Sequence, residues 1–248
     1  ILRRYRVLKS PRIRWLVAML LLILFIAVAA AFALPSLRRD ADAGTATPTV
    51  QVIIDPGHGG EDGGAVGADG TVEKDLNLAI SFMLRDMLAA SGVNVIMTRT
   101  EDVLLYDRSA DYQGRKKVLD LKARLEVCEA NPGALFVSIH MNAFPQKKYD
   151  GLQVYYPAAD EASALLARDI QDSVRASLQP SNLRRAKAAG SNIFLLDKNP
   201  GRAVLIECGF LSNDAECARL RDTAYQRQLA LVMYGSVMKY LSGALTSP

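Results

Sequence analysis

From about residue 50 onward, apolar positions follow two alternating rhythms. Val50 to Ile54 is a β-branched apolar run that stops at Asp55-Pro56-Gly57, which predicts a buried strand and a turn. The period then changes. Between Val72 and Ala90, the residues Leu76, Ile80, Met83, Leu84, Met87 and Leu88 recur at helical spacing, and Ser91-Gly92 ends the helix. Val93 to Thr98 reads as the next strand, residues 101–114 as a polar loop, and Lys116 to Ala130 as a helix closed by Asn131-Pro132-Gly133. Ala134 to Ile139 is a buried strand leading into His140, and Gly151 to Tyr156 is another strand. Asp160 to Leu178 carries Ala162, Leu166, Ile170, Val174 and Leu178 four apart, a helical stripe. Strands at Ile193 to Leu196 and Ala203 to Ile206 and a helix from Thr223 to Leu241 complete the pattern. Strands alternating with helices predict an α/β domain: a mostly parallel twisted sheet with helices on both faces. Sites in such sheets form at the carboxyl ends of strands.

The front of the chain is different. Trp15 to Leu34 is a run of twenty uncharged residues, enough at 1.5 Å per residue to cross a hydrocarbon layer of about 30 Å. It reads as a transmembrane helix, with a cleaved signal segment as the alternative, since Ala31-Phe32-Ala33 has the small-x-small look of a cleavage site. The expected organisation is a basic cytoplasmic tail over 1–14, the anchor or signal over 15–34, a linker over 35–49 and a catalytic domain over 50–243. The expected location is a single-pass membrane protein with its domain outside the cytoplasm, or a secreted domain if the segment is cleaved.

Charge sharpens this division. The net charge is +4, but six basic residues lie within the first fourteen positions, leaving 24 basic against 26 acidic residues elsewhere. The domain therefore has no general basic face, which excludes nucleic acid as a partner. The three cysteines, Cys128, Cys208 and Cys217, form no CxxC pair and read as buried thiols.

Candidate chemistry rests on few residues. The only histidines are His58, in DPGHGG, and His140, in SIHMN, and both follow predicted strands. Glu73 opens the first helix and Glu207 follows the strand AVLI. Two imidazoles and a carboxylate suit one catalytic zinc ion with a position left for water, and a further carboxylate is needed to move the water's proton. His58, Glu73 and His140 are the candidate metal ligands and Glu207 the candidate catalytic base. Each also has an ordinary structural reading, as a hydrogen-bonded strand-end group, a first-turn helix acid or a salt-bridge partner. The glycines around His58 do not make a phosphate loop, because GxxxxGK[ST] is absent and Glu61 and Asp62 would repel phosphate.

The segments IIDPGHGGEDGGAVG (53–67), VEKDLNL (72–78), MTR (97–99), LKARLEVCEAN (121–131), LFVSIHMNA (135–143) and LIECGFLSN (205–213) resemble, in order, the motifs of zinc-dependent N-acetylmuramoyl-L-alanine amidases of the amidase-3 type. The resemblance implies zinc bound by His58, Glu73 and His140, Glu207 as the catalytic glutamate, and peptidoglycan as substrate. GRKKVLDLKAR (114–124) and SNIFLLDKNPGRAVLIECGFLSN (191–213) look like the spore-cortex amidases of endospore formers, which implies a role in forming muramic δ-lactam. An activating protein partner is a further expectation of the family. Arg184, with Arg185 and Lys187, is a candidate substrate contact or a solvated basic loop, and Asn142 a candidate orienting residue. The rival readings are a glycan hydrolase using Glu73 and Glu207 as a carboxylate pair, a non-catalytic wall-binding protein, and a zinc peptidase cutting within the stem.

Overall fold

The computed structural model describes residues 15, 17–25, 51–106, 109 and 114–245. The chain divides into residues 1–49 and 50–248. In the first unit, residue 15 and residues 17–25 are helical. Among the described residues no helix is long and apolar enough to cross a membrane. Half of the segment read as a transmembrane helix (residue 16 and residues 26–34) lies outside the described residues, as do the basic tail and the linker.

The second unit holds β1 (Val52–Pro56), α1 (Glu73–Ala90), β2 (Val95–Met97), α2 (Lys116–Glu129), β3 (Leu135–Asn142), β4 (Gln153–Pro157), α3 (Glu161–Ser177), β5 (Lys187–Ala189), α4 (Phe194–Lys198), β6 (Ala203–Phe210), α5 (Asp214–Arg221) and α6 (Thr223–Leu241). One sheet runs β2-β1-β3-β6-β4-β5. The first four strands are mutually parallel, whereas β4 is antiparallel to β6 and carries β5 parallel to itself. The parallel expectation thus holds for one side of the sheet. β4 is reversed because no crossover helix separates it from β3, and a strand can return parallel only through a long crossover.

Strand alternation divides the core in two. Val52, Ile54, Val137, Ile139, Val204 and Ile206 point to the larger core with Leu84, Ile170 and Met233 of α1, α3 and α6. Ile53, Phe136, Ala203 and Leu205 point to a smaller one, with Cys128 of α2 and Leu195 and Leu196 of α4. The second face turns polar toward the strand carboxyl ends, where Asp55, Ser138, His140 and Glu207 continue the same alternation.

Three readings of the sequence need correction. The apolar run Ile193 to Leu196 is the start of a short helix, α4, because its consecutive buried residues cap the smaller core instead of joining a ladder. Periodicity cannot separate these outcomes in so short a run. β3 and β6 extend through His140 and Glu207, so both residues lie in strands and not after them. Helix α5 was not anticipated; Asn213 caps it by accepting a hydrogen bond from the Glu216 N–H at 3.0 Å. All three cysteines are free and buried, as expected.

One buried ion pair ties α2 to the turn after β1. The Arg124 guanidinium meets Asp55 at 2.6 Å and Asp120 at 2.8 Å, and donates to the carbonyls of Pro56 at 2.8 Å and His58 at 2.7 Å. Thr98 and Ser138 donate to the two oxygens of Asp55 at 2.6 and 2.7 Å. Burial would raise the Asp55 carboxyl, but the Arg124 charge and these hydroxyls hold it below the usual range. Removing one partner strands a buried charge, so Arg124→Ala is expected to cost about 3–5 kcal/mol. Urea unfolding checks this; a loss under 1 kcal/mol would show that the network is dispensable.

Candidate metal centre

The turn leaving β1 delivers the first donor. His58 has φ 61, the only non-glycine residue in that left-handed region among those described. Such a conformation costs about 1–2 kcal/mol per residue. Arg124 holds it from the His58 carbonyl, and Arg99 grips the preceding carbonyls of Pro56 at 2.9 Å and Gly57 at 3.0 Å. Arg99 also donates to the Lys74 carbonyl at 2.8 Å, so the turn and the start of α1 move together. Two glycines are sterically required. A Cβ at Gly57 would run into the His140 ring, and one at Gly64, where φ is +69, would strike the Glu73 carboxylate.

Glu73, the first residue of α1, is only 3% exposed. Its Oε1 lies 2.9 Å from His140 Nδ1 and 3.2 Å from His58 Nε2, and accepts from the Met141 N–H at 3.0 Å and from Asn77 Nδ2 at 3.3 Å. Its Oε2 accepts from the Ala65 N–H at 2.7 Å. Burial would raise this carboxyl, but the hydrogen bonds and charges of the two histidines outweigh it and hold it well below the usual range. The rings of His58 and His140 stand edge to face, 4.9 Å between centroids.

One ligand atom from each of His58, Glu73 and His140 lies within 4.8 Å of the others. Two ring nitrogens converging on one carboxylate oxygen is a donor set that fits a divalent cation. Asp62 Oδ2 sits 2.9 Å from His58 Nδ1, the outer ring nitrogen, as a charge partner outside hydrogen-bond alignment. Sequence reasoning treated Asp62 only as an acid unfriendly to phosphate.

Glu207 faces His140 directly across the β3–β6 ladder. Its Oε2 is buried and accepts no hydrogen bond from the described residues. Burial is the main reason its carboxyl rises to about 7; the neighbouring Glu73 charge adds to this, while His140 and His58 oppose it. Beside the histidines a cavity of about 210 Å³ opens between α2 and α4, floored by Leu205 and walled by Leu121, Ile193 and Phe194. The sequence-predicted quartet is therefore assembled in one place. Asn142 closes β3, its carbonyl accepting from the Leu211 N–H at 2.8 Å, and Arg184 lies over Phe210 before β5; neither is a member of the three-donor cluster.

The family model for N-acetylmuramoyl-L-alanine amidases, amidase-3, matches residues 52–239. The chain belongs to this family. It is 36% identical over 191 residues to the germination-specific N-acetylmuramoyl-L-alanine amidase of Bacillus subtilis, covering 77% of this chain and 79% of that one. Its fold matches the CwlD amidase of Clostridioides difficile, solved in complex with the GerS lipoprotein, with a TM-score of 0.73 and 41% identity over 79% of this chain and 100% of that one. It also matches the amidase AmiC2 of Nostoc punctiforme, with a TM-score of 0.65 and 30% identity over 79% and 99% of the two chains. The protein is an N-acetylmuramoyl-L-alanine amidase, and its substrate is peptidoglycan.

Several residues that build this amidase's site escaped sequence reasoning: Asp55, Asp62, Asn77, Arg99, Asp120 and Arg124. A signal existed for one pair. Asp120 and Arg124 stand at i−8 and i−4 from Cys128, on the apolar side of α2, where charge implies a buried partner.

The metal-free centre is sensitive to pH. Burial alone would lower the His58 imidazole, but the carboxylates of Asp62 and Glu73 prevail and raise it to about 9. A raised histidine stabilises the fold fully below its unfolded pKa of about 6.5, and the contribution disappears as pH rises through the folded value. The metal-free protein is therefore expected to lose up to about 3 kcal/mol between pH 6.5 and 9. Urea midpoints in a chelating buffer check the slope; a flat profile that is the same in His58→Gln overturns it. Because a cation replaces the His58 proton, metal binding at pH 7 is expected to release about one proton, read by calorimetry in buffers of different ionisation enthalpy.

Proposed function

We propose that this amidase is a zinc enzyme of the spore cortex, with one zinc ion per chain held by His58, Glu73 and His140, and with Glu207 as its base. The observation that carries the reading is the convergence of His58 Nε2 and His140 Nδ1 on Glu73 Oε1, with Glu207 opposite His140. When bound, zinc supplies Lewis acidity toward the scissile carbonyl and makes water easier to deprotonate near neutral pH. Glu207 takes a proton from the attacking water and returns it to the departing L-alanine nitrogen, which leaves a carboxylate on the muramic lactyl group. A carboxyl raised to about 7 is suited to both transfers. The Asp62 carboxylate lies beside the His58 ring as a charge partner, and Asn77 fixes Glu73. Asn142, two residues beyond His140, is assigned to orienting the site.

A carboxylate-pair glycan hydrolase fits less well. Such an enzyme needs an ionised carboxylate free to act as base or nucleophile, and the two oxygens of Glu73 are taken up by the histidines and by main-chain N–H groups.

The cortex role is supported by the germination-specific relative and by the likeness to CwlD. Removing the stem at this bond frees the lactyl carboxylate for conversion to muramic δ-lactam. The relative solved with a lipoprotein supports an activating protein partner for this chain too. We further assign residues 1–14 as a cytoplasmic tail, 15–34 as a membrane anchor, 35–49 as a linker and 50–243 as the catalytic domain, which lies outside the cytoplasm. The support is the basic cluster before an uncharged run and the exposed large apolar side chains of Trp15, Val17 and residues 19–25. Retention of the full-length protein in membranes through a carbonate wash, and its release when residues 1–34 are deleted, is the expected outcome.

The decisive test is Glu207→Gln. The variant is expected to bind zinc as the wild type does, yet to release N-terminal L-alanine from peptidoglycan about 10²–10⁴-fold more slowly. Mass spectrometry of the new ends reads the product. Near-normal turnover with zinc bound would falsify the role of Glu207.

A further inference from the structure

We propose that Arg184 is a specificity determinant of this amidase, pairing with a carboxylate on the second residue of the peptide stem. The inference rests on the reading of Glu207 as the base beside the scissile amide, and it fixes which side of Glu207 the peptide occupies.

The argument begins with strand order. β4 lies beside β6, and Gln153 is the residue directly opposite Glu207 on that side. Gln153 Oε1 accepts from Arg184 Nη1 at 3.2 Å, and Gln153 Nε2 donates to the Arg185 carbonyl at 2.9 Å. Glu207, Gln153 and Arg184 therefore form a continuous row. The strands are about 4.8 Å apart, so with one further hydrogen bond the guanidinium stands about two residues' reach from Glu207 along an extended peptide.

The guanidinium is also held in place. It stacks over the Phe210 ring at 4.6 Å, and its Nε donates to the Asp150 carbonyl at 2.8 Å. The main chain beneath it is fixed as well: the Arg184 N–H donates to Asn182 Oδ1 at 3.0 Å, and its carbonyl accepts from Arg175. These contacts use Nε, Nη1 and one face of the group, and none of them uses Nη2. A guanidinium fixed this way loses little freedom on binding a carboxylate. An arginine in a solvated basic loop would show no such clamp.

Electrostatics supply the need. Glu207 and Asp62 flank the centre, so a stem carboxylate set beside them is favoured only where a cation receives its charge. Arg184, with Arg185 and Lys187 on the same segment, supplies that cation on the β4 side. The opposite side, between α2 and α4, has an apolar wall of Leu121, Ile193 and Phe194, and its two cations are already paired, Lys117 with Asp62 at 3.9 Å and Arg124 with Asp55 and Asp120. The peptide belongs on the β4 side and the muramic group on the other.

The experiment compares two N-acetylmuramoyl-L-alanyl peptides that differ only in bearing a carboxylate or a carboxamide on the second residue. For the wild-type holoenzyme the KM of the carboxamide is expected to be about tenfold higher, the worth of one charge-assisted hydrogen bond, with kcat little changed. Arg184→Gln is expected to raise the KM of the carboxylate substrate to that of the carboxamide and to leave cleavage of the carboxamide alone. Arg184→Lys keeps the charge and is expected to retain part of the preference. Equal KM values for the two substrates in the wild type overturn the proposal. So does an Arg184→Gln defect of equal size on both, which would mark a purely structural arginine. Cleavage of the carboxamide substrate, lost in Glu207→Gln but kept in Arg184→Gln, reports the base independently, so failure of one reading is not mistaken for failure of the other.

Discussion

The site depends on one buried charge pair. Asp55 is the penultimate residue of β1 and Arg124 sits two turns into α2, and their contact at 2.6 Å holds the smaller helical layer against the sheet. Two charges in a dry interior stabilise a fold only when their remaining hydrogen-bonding capacity is met. Here it is met by Thr98, Ser138, Asp120 and the carbonyls of Pro56 and His58. The last two belong to the turn that presents the first histidine. The network therefore converts the energy of satisfying a buried ion pair into a fixed, left-handed His58, a conformation that the residue would not hold unaided.

The same sheet face changes character along its strands. Ile53, Phe136 and Leu205 are a dry floor; Asp55, Ser138, His140 and Glu207 are the next positions of the same alternation. Period two forces all of them onto one side, so the apolar floor and the polar centre are rigidly coupled. Placing the donors on strands and at the first turn of a helix limits their motion more than loops would. Only His58 comes from a loop, and that loop is the segment both Arg99 and Arg124 grip.

Much of this was legible in the sequence, for physical reasons that also mark the limit. The helices α1, α3 and α6 bury long stripes, and repeated apolar spacing over many residues leaves little ambiguity. The quartet His58, Glu73, His140 and Glu207 was legible because metal chemistry needs rare residue types and the chain has only two histidines. Ile193 to Leu196 was misread because four consecutive apolar residues satisfy a buried strand and a capping helix equally. The reversed direction of β4 was invisible to periodicity, which records faces and not strand direction. Arg99 and Arg124 were quoted as motif residues, yet their role was missed. A pattern that assigns charge to solvent cannot see a guanidinium whose partners are main-chain carbonyls distant in sequence.

Two glutamates in one small site are proposed for opposite tasks, and the difference lies in their surroundings, not in their side chains. Glu73 accepts from N–H groups of Asn77, Met141 and Ala65 and lies against both histidine rings, so its negative charge is solvated by protein and it stays a carboxylate. Glu207 is half-buried, with one buried oxygen that accepts nothing from the described residues, and it feels the charge of Glu73 nearby. Its affinity for a proton rises accordingly. Separating the two carboxylates in this way suits one to holding a cation and the other to carrying a proton. If Glu73 lost its N–H donors its proton affinity would rise, and if Glu207 gained them its own would fall. The hydrogen-bond inventory of the two side chains therefore matches the division of labour proposed for them, and the Asp55–Arg124 network holds the turn beside it in place.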